Sequence, residues 1–189
     1  MVRVLTRDEI NIDQKLVGEL KKSVFIYPTD TIYGIGCDAT NAGLVSRIRE
    51  IKRRPEQPFS IIIPDKSLVS ENCEVSSEGE NWLKKLPGPY TLIFRVKKNF
   101  FSKLVIPMTD AIGVRIPNHW FSGVVKSMKI PIVTTSVNLS GEDFMTSLDD
   151  LTDEIKKKVD FIIYEGPIKG KPSTVVNLAK GELGVTVRG

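Results

Sequence analysis

Residues 24–63 read VFIYPTDTIYGIGCDATNAGLVSRIREIKRRPEQPFSIII. The apolar run at 24–27, closed by Pro28, predicts a short buried strand. From Asn41 the period changes. Leu44, Val45, Ile48 and Ile51 recur at helical spacing, with Asn41 positioned to cap the first turn. Arg47, Arg49 and Glu50 fall on the polar face, and the last turn delivers Lys52, Arg53 and Arg54 before Pro55 ends the helix. Residues 59–63 then return to a strand too apolar to face water, Ser60 apart. Strand, helix and strand in one stretch predict an α/β domain.

Working outward, Ser77 and Glu80 have capping-box spacing ahead of Trp82, Leu83 and Leu86, which predicts a helix broken at Pro87-Gly88-Pro89. Strands are expected at 90–96 (with Arg95 on the polar side), 112–116 and 132–135. Trp120, Val124, Val125 and Met128 mark a further helix, and 149–158 reads as a polar one. A strand at 161–164 follows, then a hairpin of 174–178 with 183–187 around Lys180-Gly181. Early alternation and a closing hairpin point to a single α/β domain over residues 1–189, with a mixed, twisted open sheet.

Composition agrees with a packed core: of 189 residues, 41% are hydrophobic and 26% charged. Cys37 and Cys73 are too few for a disulfide framework, and with the single His119 they form no metal-ligand spacing. A reducing, cytoplasmic setting is expected, because no signal peptide is visible and the apolar runs are too short for a bilayer. Lys and Arg exceed Asp and Glu, 27 to 23, and the excess suits an anionic partner, a nucleotide or a nucleic acid.

Four segments place polar residues where core strands end, the usual place for ligands in α/β sheets. Tyr27-Pro-Thr-Asp-Thr-Ile-Tyr-Gly-Ile-Gly36 is read either as a turn whose glycines serve geometry or as a loop whose backbone, Thr29 and Thr31 approach a ligand. Lys52 and Arg54 are either a solvated helix end or a phosphate clamp. Arg115, inside the apolar run Gly113-Val-Arg-Ile-Pro117, is either buried with a partner or lines a cavity. Thr134-Thr-Ser-Val-Asn-Leu-Ser-Gly141 offers hydroxyls and an amide for a ligand or for a turn. Ser173 and the penultimate Arg188 are similar and weaker singly. No Walker loop or dinucleotide fingerprint occurs. Cys37 is read as a small buried filler and His119 as structural.

Taken in order, YPTDTIYGIG (27–36), IKRRP (51–55), PGPYT (87–91), GVRIP (113–117), TSVNLSG (135–141) and STVVNL (173–178) resemble the YrdC-like family, the threonylcarbamoyl-AMP synthases of tRNA modification. The resemblance runs over nearly the whole chain. It implies a twisted sheet enclosing a basic cavity. It also implies a nucleotidyltransferase that joins L-threonine, bicarbonate (or CO2) and ATP into threonylcarbamoyl-adenylate, releasing pyrophosphate. The family's Lys-x-Arg and Ser-x-Asn signatures fall on Lys52, Arg54, Ser136 and Asn138. These would act on the nucleotide and its phosphates, with Arg188 also meeting ATP. Thr31, Arg115, Thr134 and Ser173 would line the threonine pocket. Magnesium (Mg2+) would arrive on ATP, with no dedicated protein site.

The chain departs from the family at Ile62, where many relatives carry histidine, at Ala111 in place of threonine, and at Asn177 in place of aspartate. The implied pathway partner is a downstream transferase that places the threonylcarbamoyl group on tRNA. Two competing functions are a module binding double-stranded RNA or ribosomal precursors, suggested by the positive charge, and carbamoyl transfer from carbamoyl phosphate. Against the first stands the absence of a stacking surface, with aromatics only 7%. Against the second stands the lack of room for accessory domains. Weak tRNA or RNA binding is compatible with the synthase reading.

Overall fold

The structure, a computed structural model, describes residues 2–139, 141–179 and 184–187. Among these residues ten strands form one mixed sheet: β1 (Arg3–Leu5), β2 (Phe25–Tyr27), β3 (Gly34–Gly36), β4 (Ser60–Ile62), β5 (Tyr90–Arg95), β6 (Ala111–Arg115), β7 (Ile132–Ser136), β8 (Phe161–Ile163), β9 (Thr174–Asn177) and β10 (Gly184–Thr186). Their order is β1-β8-β2-β3-β7-β4-β6-β5-β9-β10. Four pairs are parallel (β1 with β8, β8 with β2, β4 with β6, β5 with β9) and the other five antiparallel, so the expected mixed sheet is present. β9 and β10 pair as the expected hairpin, whose turn lies outside the described residues.

Among the described residues seven α-helices flank the sheet: α1 (Arg7–Ile12), α2 (Gln14–Leu20), α3 (Ala42–Lys52), α4 (Ser67–Asn72), α5 (Ser77–Lys84), α6 (Phe121–Met128) and α7 (Asp153–Lys156). The pleat sends alternate side chains to opposite faces, and the sequence uses that alternation consistently. On one face Ile26, Ile35, Ile61, Leu92, Phe94, Ile112, Val114, Val133, Ile162 and Val176 join a core closed by α3, α4, α5 and α7. On the other, Phe25, Tyr27, Ile62, Ile132 and Ile163 lie under α1, α2 and α6. Further along that second face the residues become small or polar: Gly34, Ser60, Thr91, Gly113, Arg115, Thr134 and Ser136. No helix core covers them, and this is where the cavity lies.

Several local expectations are corrected. Asn41 does cap α3, its side chain accepting the Leu44 N–H at 3.1 Å. The helix ends, however, at Arg53 in the left-handed region (φ 51°) and not at Pro55. Arg49 is buried, not solvated: its guanidinium donates to the carbonyl oxygens of Leu104, Arg54, Pro55, Gln57 and Val105 and lies over the Phe59 ring. The cap of α5 is Ser76, one residue earlier than expected. The polar helix splits into a 3-10 turn at Leu148–Asp150 and the short α7. Cys37 is fully buried, and burial pushes its thiol far up. Among the described residues no helix is long and apolar enough to cross a membrane.

Candidate active site

The turn after β2 is organised by one hydroxyl. Thr29 Oγ1 accepts the N–H groups of Thr31 (3.1 Å) and Ile32 (3.3 Å) and donates to the Ile32 carbonyl (2.7 Å). With its proton committed, it accepts from the Thr31 hydroxyl at 2.9 Å. The chain then enters β3, where Gly34 and Gly36 lie against the Tyr27 ring. A Cβ on Gly36 would also strike the Val133 carbonyl. These glycines are required by close approach.

Arg115 leaves β6 on the same face. Its Nη2 donates to Thr31 Oγ1 at 3.0 Å and to Asp30 Oδ1 at 3.2 Å. Both members of this ion pair are nearly enclosed, with side-chain exposures of 8% and 12%. The pairing resolves the alternatives left open for an arginine in an apolar strand, since Arg115 is both partnered and part of a cavity wall.

That cavity, about 300 Å³, is lined by Thr29, Ile32, Tyr33, Gly34, Arg54, Pro58, Phe59, Ser60, Thr91, Arg115, Thr134, Thr135, Ser136, Phe144, Pro172 and Ser173. Two arginines and a set of hydroxyls face it, and among the described residues none that lines it is acidic. Ser173 and Thr91 share a hydrogen bond at 2.7 Å where β9 approaches β5. A second space of about 380 Å³ adjoins it across Pro58, Phe59, Ser60 and Thr91 and reaches Ala111 and Asn177. Ile62, by contrast, is buried in the apolar part of the face.

The segment 164–173 straps this face. Glu165 accepts from the Trp120 indole (2.6 Å) and pairs with His119 Nε2 (2.9 Å). His119 Nδ1 accepts the Phe121 N–H at 3.3 Å, which puts the neutral ring's proton on Nε2. Tyr33 donates to the Gly166 carbonyl at 2.7 Å; burial pushes its phenol up to about 12, so it stays protonated. Gly170 packs so closely on the Thr31 carbonyl that no side chain fits there.

Lys52 is 1% exposed. Its Nζ donates to the carbonyls of Ser136 (2.7 Å) and Asn138 (2.5 Å) and to Asn138 Oδ1 (2.6 Å). The same Oδ1 accepts from Ser136 Oγ at 2.6 Å, and Asn138 Nδ2 donates to the Glu142 carbonyl at 2.6 Å. Burial, then the neighbouring Arg54, lowers the Lys52 ammonium to about 7. Arg54 lies over the Phe59 ring and donates to the Pro58 carbonyl.

Of the sequence-predicted residues, Arg54, Arg115, Thr134, Ser136 and Ser173 line the cavity. Thr31 stands behind it through Arg115, and Lys52 and Asn138 join it through Ser136. Arg188 lies outside the described residues. Sequence reasoning assigned no part to Asp30, Tyr33, Ser60, Thr91 or Arg49. Asp30, Tyr33 and Thr91 sit inside the quoted motifs, and Ser60 is the polar residue of an otherwise apolar run.

Comparison with known proteins bears on the family and the fold. The family model for the Sua5–YciO–YrdC domain, described as "Telomere recombination", matches residues 20–189. A Methanocaldococcus jannaschii protein named "Putative threonylcarbamoyl-AMP synthase" is 35% identical over 181 residues, covering 90% of this chain and 84% of its own. The structure of E. coli YciO superposes with a TM-score of 0.86 at 25% identity, over 100% of this chain and 96% of that one. P. abyssi Sua5 complexed with L-threonine gives a TM-score of 0.84 at 26% identity over 98% of this chain, which spans 56% of the Sua5 chain. The sheet coincides with these structures, and by the family model and the 35% identity the chain belongs to the Sua5–YciO–YrdC family.

Proposed function

We propose that the protein is a threonylcarbamoyl-AMP synthase, acting on L-threonine, bicarbonate or CO2, and ATP with its magnesium. The observation that carries this reading is the convergence of Arg54, Arg115 and eight hydroxyl-bearing residues on one cavity with no acidic residue in its described lining. The threonine complex of the related Sua5 supports assigning the amino acid to this cavity.

In the proposed reaction the threonine nitrogen bonds to CO2 and loses a proton, giving a carbamate. A carbamate oxygen then attacks the α-phosphorus. The bond from that phosphorus to the bridging oxygen breaks, and pyrophosphate leaves. Threonine lies against Arg115, Thr31, Thr134 and Ser173, and the phosphates lie towards Arg54, Lys52, Ser136 and Asn138, with Arg188 as a further nucleotide contact. The adjoining space across Ser60 and Thr91 gives room for a second substrate to meet the first. Cations and donors fixed before the reaction stabilise the charge that builds on the phosphoryl oxygens. One such donor contributes about 3 kcal/mol.

The product, a mixed anhydride, requires an acceptor, and a tRNA-directed transferase is the proposed downstream partner. The test is pyrophosphate release by the purified protein with ATP, magnesium and bicarbonate, with and without L-threonine. Threonine-dependent release is expected, and its absence overturns the assignment.

A further inference from the structure

We propose that Asp30 is a positioning residue that holds the Arg115 guanidinium for the carboxylate of an α-amino acid substrate. The inference rests on the reading that threonine binds against Arg115. Asp30 itself does not line the cavity, whereas Arg115 does. One carboxylate oxygen of Asp30 takes Arg115 Nη2 (3.2 Å), and the other takes the Asn118 N–H (2.9 Å). Both donors come from one short segment running off the end of β6. Asp30 is therefore gripped from the strand that carries the arginine and from the residues just beyond it.

The other side of Asp30 is equally fixed. The Thr29 hydroxyl accepts the N–H groups of Thr31 and Ile32 and sets the turn that aims residue 30. Thr31 adds a second acceptor for the same Arg115 nitrogen. A long, flexible arginine is thus held by two acceptors on a rigid turn before any ligand arrives, so the ordering cost is met during folding and not during binding.

Charge gives a second reason. An enclosed guanidinium with no counter-charge is costly, and Asp30 removes that cost. Held this way, the Arg115 guanidinium offers a fixed donor for one substrate carboxylate, and the group favoured against it is the carboxylate of an α-amino acid.

The experiment reads KM for threonine and for ATP, kcat and the melting temperature in wild type, Asp30→Asn, Arg115→Lys and the double variant. It is preceded by calorimetric titration of wild type with L-threonine. Asparagine keeps the shape but leaves one of the two donors facing an N–H. The expected result is a threonine KM raised about 10- to 100-fold with the ATP KM within about 3-fold, and a double variant no worse than Arg115→Lys alone. A purely structural aspartate would lower both affinities together, or add its loss to that of Arg115→Lys. Either pattern, or an unchanged threonine KM, overturns the inference. If Asp30→Asn does not fold, Asp30→Glu, which moves the carboxylate by one methylene, is read by the same two constants. Wild type that binds no threonine overturns the functional reading and this inference with it. Wild type that binds threonine beside an equally competent Asp30→Asn overturns the inference alone.

Discussion

Lys52 Nζ and Ser136 Oγ converge on a single atom, the Oδ1 of Asn138, each at 2.6 Å. A helix end and a strand end are thereby joined through one side-chain amide, and the same ammonium also holds two carbonyls of that turn. The cluster fixes the loop that presents Ser136 to the cavity, so its disturbance reaches catalysis without touching the sheet.

Lys52→Met keeps the volume and removes the charge and three donors. Hydrogen bonds to charged groups contribute about 1.5–3 kcal/mol, so kcat/KM for threonine-dependent pyrophosphate release should fall roughly 10- to 100-fold. The melting temperature should move little, because the cost of burying an ammonium disappears with it. Steady-state kinetics and thermal melts on the same preparation check both halves.

Stability should rise with pH across the window set by Lys52. Its ammonium is lowered from 10.5 to about 7 on folding, first by burial. Between those values the unfolded chain holds a proton that the folded chain has lost, so raising the pH favours the fold. Below about 7 both states are protonated and the full penalty applies. The gain is on the order of a few kcal/mol. Urea midpoints through this window should climb in wild type relative to Lys52→Met.

Gly170→Ala places a methyl group against the Thr31 carbonyl, a rigid backbone atom. The strap must lift, carrying Pro172 and Ser173 away from the cavity. Stability should drop by ~1–3 kcal/mol, with threonine affinity falling more than ATP affinity. Calorimetric titration of each substrate distinguishes this from general unfolding.

Asp160→Ala tests a tie remote from the site. Asp160 accepts the Val24 N–H (2.8 Å) and both terminal nitrogens of Arg47 (3.0 and 3.1 Å), joining α3 to the β2–β8 edge. The ion pair is partly exposed and adds at most about 1 kcal/mol, while the stranded N–H adds ~1–2 kcal/mol. Urea denaturation should show that loss, and kinetic constants under native conditions should stay at wild-type values.

Much of this arrangement was legible in the residues. Alternation in Ala-Ile-Gly-Val-Arg (111–115) puts the small residues and Arg115 on one face, as found. Asn41 and the stripe from Leu44 to Ile51 mark α3 correctly. The burial of Lys52 was not read, the choice left open there being a solvated helix end or a phosphate clamp, although the residue stands four after Ile48 on that same apolar stripe. Arg49, four after Val45, carried the same signal. Charge was taken as a sign of exposure, whereas enough carbonyl oxygens can satisfy a buried cation. The strands β1 and β3 were missed because neither carries the uninterrupted apolar run that marks β2, β4 and β8. β1 is held by β8, 158 positions on at Phe161, and β3 by its neighbour β2 and by β7. The Asp30–Arg115 pair was hidden because its members stand 85 positions apart.

The strap bears on how the protein comes off the ribosome. Its last contribution, Ser173, must find Thr91, and neither can do so until β9 has emerged to lie beside β5. A nascent chain stalled before that point holds the arginines and most of the hydroxyls yet has one side of the cavity open. Competence therefore arrives late and all at once in synthesis, and a half-made chain has no partial enzyme to offer.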